Sequence, residues 1–465
     1  MCSLTTQSTV RPGTTRPGVA LALILTCQLM LMLDVTVMNV ALPRIRDDLG
    51  FTPAALSWVM NAYTLVFGGL LLLGGRLGDL FGRRRVFLVG VGVFTVASLA
   101  GGLADSAWLL IVARIVQGLG AAAAGPSTLA LVAGTFTEPK ARMRALSLFS
   151  AMASSGFAIG LILGGLLTEW LSWRSVMFIN VPIGAVVLAF GARHIVEPER
   201  HPARLDVTGA VLATLGVASL VYGFIRAAES GWDAASALWP LAVGGVLVVS
   251  FVWSQTRVEH PMLPLRLFAD RNRAAGYANF FLGPLSMMSA FFFLTQFLQD
   301  VKGYGALATG FAFLPMAAGI FGLSRLVPTL LPRLGPKPMA VTGTLLMSAG
   351  LWWLAHLSAA SGYVPDILGP MLLMGIGGGL AFTPLNVVIM STVPPADTGA
   401  AGGALQTMQQ IGGTLGLAVL VTVAGSASRD HTGTDALLTG MTAAFTTSAA
   451  VALLTFAVAL TFRRR

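Results

Sequence analysis

The chain has 465 residues, 55% hydrophobic and only 10% charged, whereas a soluble domain carries about a quarter charged residues. That balance points to a polytopic membrane protein and excludes a separate soluble domain, and Cys2 and Cys27 alone supply no disulfide framework. The formal charge of +10 would suit a nucleic-acid binder, but Lys and Arg cluster in alternate loops, which is how a protein is oriented in a bilayer.

In chain order, stretches apolar and long enough to cross a bilayer are expected at residues 19–40, 54–75, 85–104, 108–133, 145–168, 175–195, 207–226, 237–254, 274–297, 306–331, 338–357, 365–390, 400–425 and 440–462. The predicted fold class is therefore an all-α polytopic membrane protein with fourteen spans. No clear small-residue cleavage site follows the first stretch, so it reads as a retained helix. Basic groups recur at Arg76 with Arg83 to Arg85, at Lys140, Arg142 and Arg144, at Arg200 and Arg204, at Arg266, Arg271 and Arg273, and at Arg463 to Arg465. Sorting loops alternately puts about 22 of the 29 Lys and Arg on one side and about six on the other, leaving Arg114 inside a span. Both termini are then expected in the cytoplasm, with no nucleic-acid partner.

A loop segment recurs. Gly75-Arg76-Leu77-Gly78-Asp79-Leu80-Phe81-Gly82-Arg83-Arg84 joins spans two and three, and a fainter copy, Pro332-Arg333-Leu334-Gly335-Pro336-Lys337, joins spans ten and eleven. With spans seven and eight as an insertion, the chain divides into a tail (1–18), a six-helix bundle (19–200), two additional helices with a cytoplasmic linker (201–273) and a second six-helix bundle (274–465).

Asp34 stands inside the first span, where a carboxylate costs roughly 2.5–3.5 kcal/mol and so usually faces a bundle interior or a wet cavity. Arg114 enters the fourth span to a similar depth, roughly 9 Å from the outer surface against roughly 13 Å for Asp34. Burial favours a neutral carboxylic acid and a nearby cation favours the carboxylate, so a changing Asp34–Arg114 distance would load and release a proton. The alternative is a structural ion pair that moves nothing. No Gly-rich phosphate loop accompanies Lys140, Lys302 or Lys337, the five histidines lack metal-ligand spacing, and no G-x-S-x-G elbow occurs. Neither an ATP-driven pump nor an enzyme is expected, and the only coupling species is the proton, with no cofactor or metal.

Several segments, in order, resemble the major facilitator superfamily and, within it, the fourteen-helix drug:proton antiporters. Leu33 to Pro43, around Asp34, resembles that group's first-helix motif. Gly75 to Arg85 resembles the superfamily's loop signature, with Gly75, Asp79, Gly82, Arg83 and Arg84 in register and Leu80 where a basic residue is common. Arg114-Ile115-Val116-Gln117-Gly118 resembles the fourth-helix motif, and Trp173-Arg174 with Phe178 to Gly184 resembles the start of the sixth helix in the fourteen-helix group.

The resemblance implies a fold of two six-helix bundles plus two central helices, a cavity lined by the first and fourth helices, and a loop at Gly75 to Arg84 that latches one conformation. On the residues alone, Arg83 to Arg85 also serve as an orientation anchor, and Asp79 can accept from a neighbouring helix N-terminus. Gly156, Gly160, Gly164 and Gly165 fall on the fifth helix, where the family has its antiporter motif; Leu161 replaces its usual proline. Four small residues at helical spacing are equally consistent with close packing.

The implied function is proton-coupled export of hydrophobic drugs or antibiotics by alternating access, with import of a small metabolite as the alternative. With no acid well inside a second-half span, a neutral or singly cationic substrate fits best. Candidate cavity residues are Gln117, Asn279, Phe291, Gln296, Asn386 and Gln406, and the Phe- and Met-rich ninth span serves either as an adaptable wall or as ordinary packing. A monomer in a bacterial cytoplasmic (inner) membrane is expected, the preference for Arg over Lys pointing to a GC-rich genome.

Overall fold

The computed structural model describes residues 17–136, 138–197, 206–259, 261–391, 393 and 398–462. Most of the expected N-terminal tail, Arg200, Arg204 and Arg463 to Arg465 lie outside the described residues.

Each predicted apolar stretch is helical. The first half contains α1 (Pro17–Leu49), α2 (Pro53–Phe81), α3 (Arg83–Gly102), α4 (Ala107–Thr135), α5 (Pro139–Trp170), the single turn α6 (Ser175–Phe178) and α7 (Asn180–His194). Two further helices follow, α8 (Val207–Ser230) and α9 (Ala235–Gln255). The second half contains α10 (Arg271–Gln296), α11 (Ala306–Ala312), α12 (Leu314–Leu334), α13 (Pro336–Leu354), α14 (Gly369–Ser391), α15 (Thr398–Ala427) and α16 (Gly433–Leu460). Among the described residues twelve helices are long and apolar enough to cross a membrane. The stretches expected at 145–168 and 338–357 lie on α5 and α13, outside that twelve: of α5 only Gly156–Trp170 is counted, as a shorter apolar helix, and α13 opens on the polar run Pro336-Lys337-Pro338.

The loops sort into two ends. Lys337 Nζ donates to Leu460 O (2.7 Å), and Arg84 donates to Ile195 O (3.2 Å), which sets the α2–α3 loop, the end of α7, the α12–α13 loop and the C-terminus of α16 at one end, here called the termini end. At the far end Arg174 reaches Asp48 (2.6 Å) and Arg46 reaches Asp300 (2.7 Å). Gly82 (φ +103°) turns α2 into α3 and Gly335 (φ +77°) turns α12 into α13, so the repeated loop segment carries the same left-handed glycine in both halves.

The core is unevenly divided between the ends. At the far end one apolar cluster joins both halves, with Leu42, Phe51 and Trp173 packed together with Phe292, Phe297 and Phe445. At the termini end each half keeps its own cluster, Ile24, Phe87 and Leu131 in the first and Leu267, Tyr277 and Leu385 in the second. Apolar surface buried between the halves therefore holds the far end shut, while toward the termini end they meet through α2 and α15, where a Cβ at Gly403 would lie 2.3 Å from Leu72 Cδ2. The inserted α8 fills the side seam between α2 and α15, and α9 lies outside it, with most of its surface exposed.

Glycines allow these approaches. A Cβ at Gly165 would lie 2.5 Å from Leu307 Cα, and one at Gly310 would lie 2.3 Å from Leu161 O, so α5 and α11 meet backbone to backbone across the two halves. Gly375, Gly377 and Gly379 on α14 do the same within the second half, against Met316, Gly343 and Leu323.

Candidate functional site

Asp34 and Arg114 are both fully buried and in direct contact, Arg114 Nη1 donating to Asp34 Oδ2 at 2.5 Å. Matched depth on α1 and α4 becomes an ion pair in the structure, and Gly118 lets α4 press against α2 beside it: a Cβ at Gly118 would lie 2.9 Å from Tyr63 O. Gln117 stands one turn from Arg114 on the same face, accepts from Arg114 Nη1 (3.0 Å), and donates to Asp34 Oδ1 (3.1 Å) and to Ser98 Oγ on α3 (2.7 Å). Arg114 Nε donates to Val59 O (2.9 Å), and its guanidinium lies 4.5 Å above the Tyr63 ring.

A further helix contributes a residue of the segment Phe178 to Gly184. Asn180 is the first residue of α7 and donates to Asp34 Oδ1 (3.0 Å). The break at Ile179 and Pro182 in the first turn, where a missing N–H is tolerated, start the helix there. Asp34 thus receives three side-chain donors. Arg114 Nη2, Asn180 Oδ1 and Tyr63 Oη are buried without protein partners, so the network retains polar capacity. Tyr63, Ser98 and Asn180 carry no charge and left no hydropathy signal.

The loop residues form a second cluster, within the first half. Arg83 pairs with Asp79 one turn before it (2.5 Å), so Asp79 is engaged by its own loop and not by a neighbouring helix N-terminus. That N-terminal role falls to Glu197, beyond α7, whose Oε1 accepts from Arg84 N in the first turn of α3 (3.2 Å). Arg84 reaches back to Ala192 O and Ile195 O. Gly82 is needed twice over, by its φ and because a Cβ would sit 2.8 Å from the Glu197 carboxylate, whereas a Cβ at Gly75 meets only Pro126 at 3.7 Å.

On α5, Gly156, Gly160 and Gly164 seat α1: added Cβ atoms would meet Met32, Thr36 and Val37, on the helix that carries Asp34. Gly165 points to α11 instead. With Leu161 in place of a proline, α5 is unbroken from Pro139 to Trp170.

The proposed cavity residues separate. Gln117 belongs to the Asp34 network. Asn279 and Gln296 are buried and bond to carbonyls of their own helix, Ala275 O (2.8 Å) and Phe292 O (3.3 Å). Asn386 and Gln406 are exposed on α14 and α15. Phe291 is half-buried at the seam between halves, edge-on to Phe157 of α5 (5.1 Å) and stacked on Phe313 (5.3 Å), beside the half-buried Met287 and Met288. Phe292 and Phe293 are buried packing residues. Among the described residues no group of His, Cys, Asp or Glu is assembled to hold a metal.

Two helical halves that share an apolar cluster at the far end and pack along α2 and α15, with a buried charge pair between helices of the first, define a multi-pass membrane transporter of the two-bundle kind. The chain belongs to the Major Facilitator Superfamily, whose family model matches residues 24–417. It is 45% identical over 413 residues to the cephamycin export protein CmcT of Amycolatopsis lactamdurans, covering 88% of this chain and 85% of that one. It is 39% identical over 454 residues to the puromycin resistance protein pur8 of Streptomyces alboniger, covering 94% and 90%. Among solved structures it resembles the human organic anion transporter MFSD10 (TM-score 0.64, 17% identity, covering 96% and 99%) and an auto-inhibited POT family peptide transporter (TM-score 0.70, 16% identity, covering 96% and 98%). At those identities the likeness establishes the fold alone. The family is one of transporters, not of enzymes.

Proposed function

We propose that the chain exports hydrophobic or singly cationic drugs or an antibiotic across the bacterial cytoplasmic membrane in exchange for protons, as a monomer with fourteen spans and both termini in the cytoplasm. Similarity to proteins named for cephamycin export and puromycin resistance supports outward drug movement. The concentration of basic residues at the termini end supports that end as cytoplasmic. On that orientation the apolar cluster shared by the two halves closes the outer end.

The observation that carries proton coupling is the Asp34 network. A carboxylate held by Arg114, Gln117 and Asn180 ties α1 to α4 and α7. A proton on Asp34 cancels the attraction to Arg114 and removes an acceptor, which loosens those helices; its release restores the tie. One charge moving across 100 mV supplies about 2.3 kcal/mol, enough for roughly a 40-fold gradient of a neutral substrate. Phe157, Phe291, Met287 and Met288, half-buried along the inter-half seam, offer an adaptable apolar wall for such a substrate.

The test is accumulation of a fluorescent hydrophobic dye in cells with and without the protein. Export lowers accumulation until a protonophore collapses the gradient, and Asp34→Asn abolishes the protonophore-sensitive component. Import would raise accumulation, and full proton-driven export by Asp34→Asn would remove Asp34 from the mechanism.

A further inference from the structure

A cavity of about 480 Å³ opens at the termini end, where the start of α1 meets the end of α4 and the start of α5. Its apolar part is made by Leu21, Phe136 and Leu148, and its charged rim by Glu138, Lys140 and Arg144. Lys140 and Arg144 stand four residues apart, on one face of α5, and both are exposed. Neither forms an ion pair or hydrogen bond among the described residues, whereas Arg83, Arg84 and Lys337 at the same end are each engaged by protein atoms. Two cations against one carboxylate leave the rim with one positive charge, next to a greasy floor at the membrane boundary.

We propose that this cavity binds an anionic phospholipid, with the phosphodiester oxygens at Lys140 and Arg144 and an acyl chain against Leu21, Phe136 and Leu148. The charge match is one to one for a phosphodiester monoanion, and basic pockets between helices at the cytoplasmic surface bind such headgroups. A free phosphate or sugar phosphate has no use for the apolar floor. The bound lipid spans the first turns of α1 and α5, the helix that carries Asp34 and the helix whose Gly156, Gly160 and Gly164 seat it. The site is independent of which molecule is exported.

The experiment is titration of purified full-length protein in phosphatidylcholine nanodiscs with phosphatidylglycerol, read by native mass spectrometry as lipid retained and by quenching from a brominated acyl chain. Lys140→Gln with Arg144→Gln weakens phosphatidylglycerol binding by about 25-fold, roughly 5-fold per charge removed. Arg142→Gln removes one charge from another face of the same helix, and leaves binding within about twofold. Unchanged binding in the double variant, or a loss of about 5-fold in Arg142→Gln, overturns the proposal in favour of a diffuse surface field. Retention of glycerol phosphate as tight as that of the lipid overturns it in favour of a phosphate site.

Discussion

Arg114→Leu is expected to be among the most damaging single changes available to this chain. It leaves the Asp34 carboxylate buried with donors only from Gln117 (3.1 Å) and Asn180 (3.0 Å), and also removes the donor to Gln117 Oε1. Breaking a fully buried pair by removing one partner costs about 3–5 kcal/mol, because the remaining charge is uncompensated. Asp34→Asn alone costs less, since Arg114 keeps Gln117 Oε1, Val59 O and the Tyr63 ring. The double variant Asp34→Asn/Arg114→Leu contains no stranded charge, so the two costs do not add: a coupling of about 2–3 kcal/mol is expected. Unfolding by SDS in mixed micelles, followed by loss of helix signal, measures the four corners of this cycle. Costs additive to within about 0.5 kcal/mol would refute the ion pair as the energetic centre of the first half. The double variant recovers stability without recovering export, which separates the structural role of the pair from its proposed role in moving protons.

Three further outcomes follow from the same geometry. Asn61, on the α2 stripe that contains Ala54, Trp58 and Leu65 and faces α8 and α15, is buried with both amide atoms unpaired, so Asn61→Leu raises the SDS unfolding midpoint and slows dye export. The gain is about 1–3 kcal/mol for each unpaired group removed, and a lowered midpoint would contradict it. Gly165→Ala forces α5 from Leu307 and opens the far end, so an Asn39→Cys reporter, buried at the seam against Thr295, is labelled faster by a membrane-impermeant maleimide; unchanged labelling would mean the seam yields elsewhere. Gly82→Ala is destabilising by at least about 1 kcal/mol through its positive φ alone, and Glu197→Ala does not rescue it, whereas full rescue would assign the whole cost to the carboxylate contact.

The sequence by itself determined the membrane class, the helical stretches, the alternation of ends and the superfamily, because each is written in hydropathy, charge spacing or contiguous motifs. It also singled out Asp34 and Arg114, since a charge within an apolar span stands out against its neighbours. Their partners Tyr63, Ser98 and Asn180 were not legible: uncharged polar residues are common in such helices, and only the rotation of α2, α3 and α7 about the pair selects these three. Asp79 illustrates the same limit, because the loop motif is local but its choice between Arg83 and a neighbouring helix depends on where Glu197, 113 residues beyond Arg84, arrives. Which end is shut was decided only by tertiary packing, where one apolar cluster joins the halves at the far end and separate clusters serve them at the other. The physical reason is that hydropathy says which surfaces leave water or lipid, whereas complementary glycine and side-chain surfaces, brought together across hundreds of residues, decide what they meet.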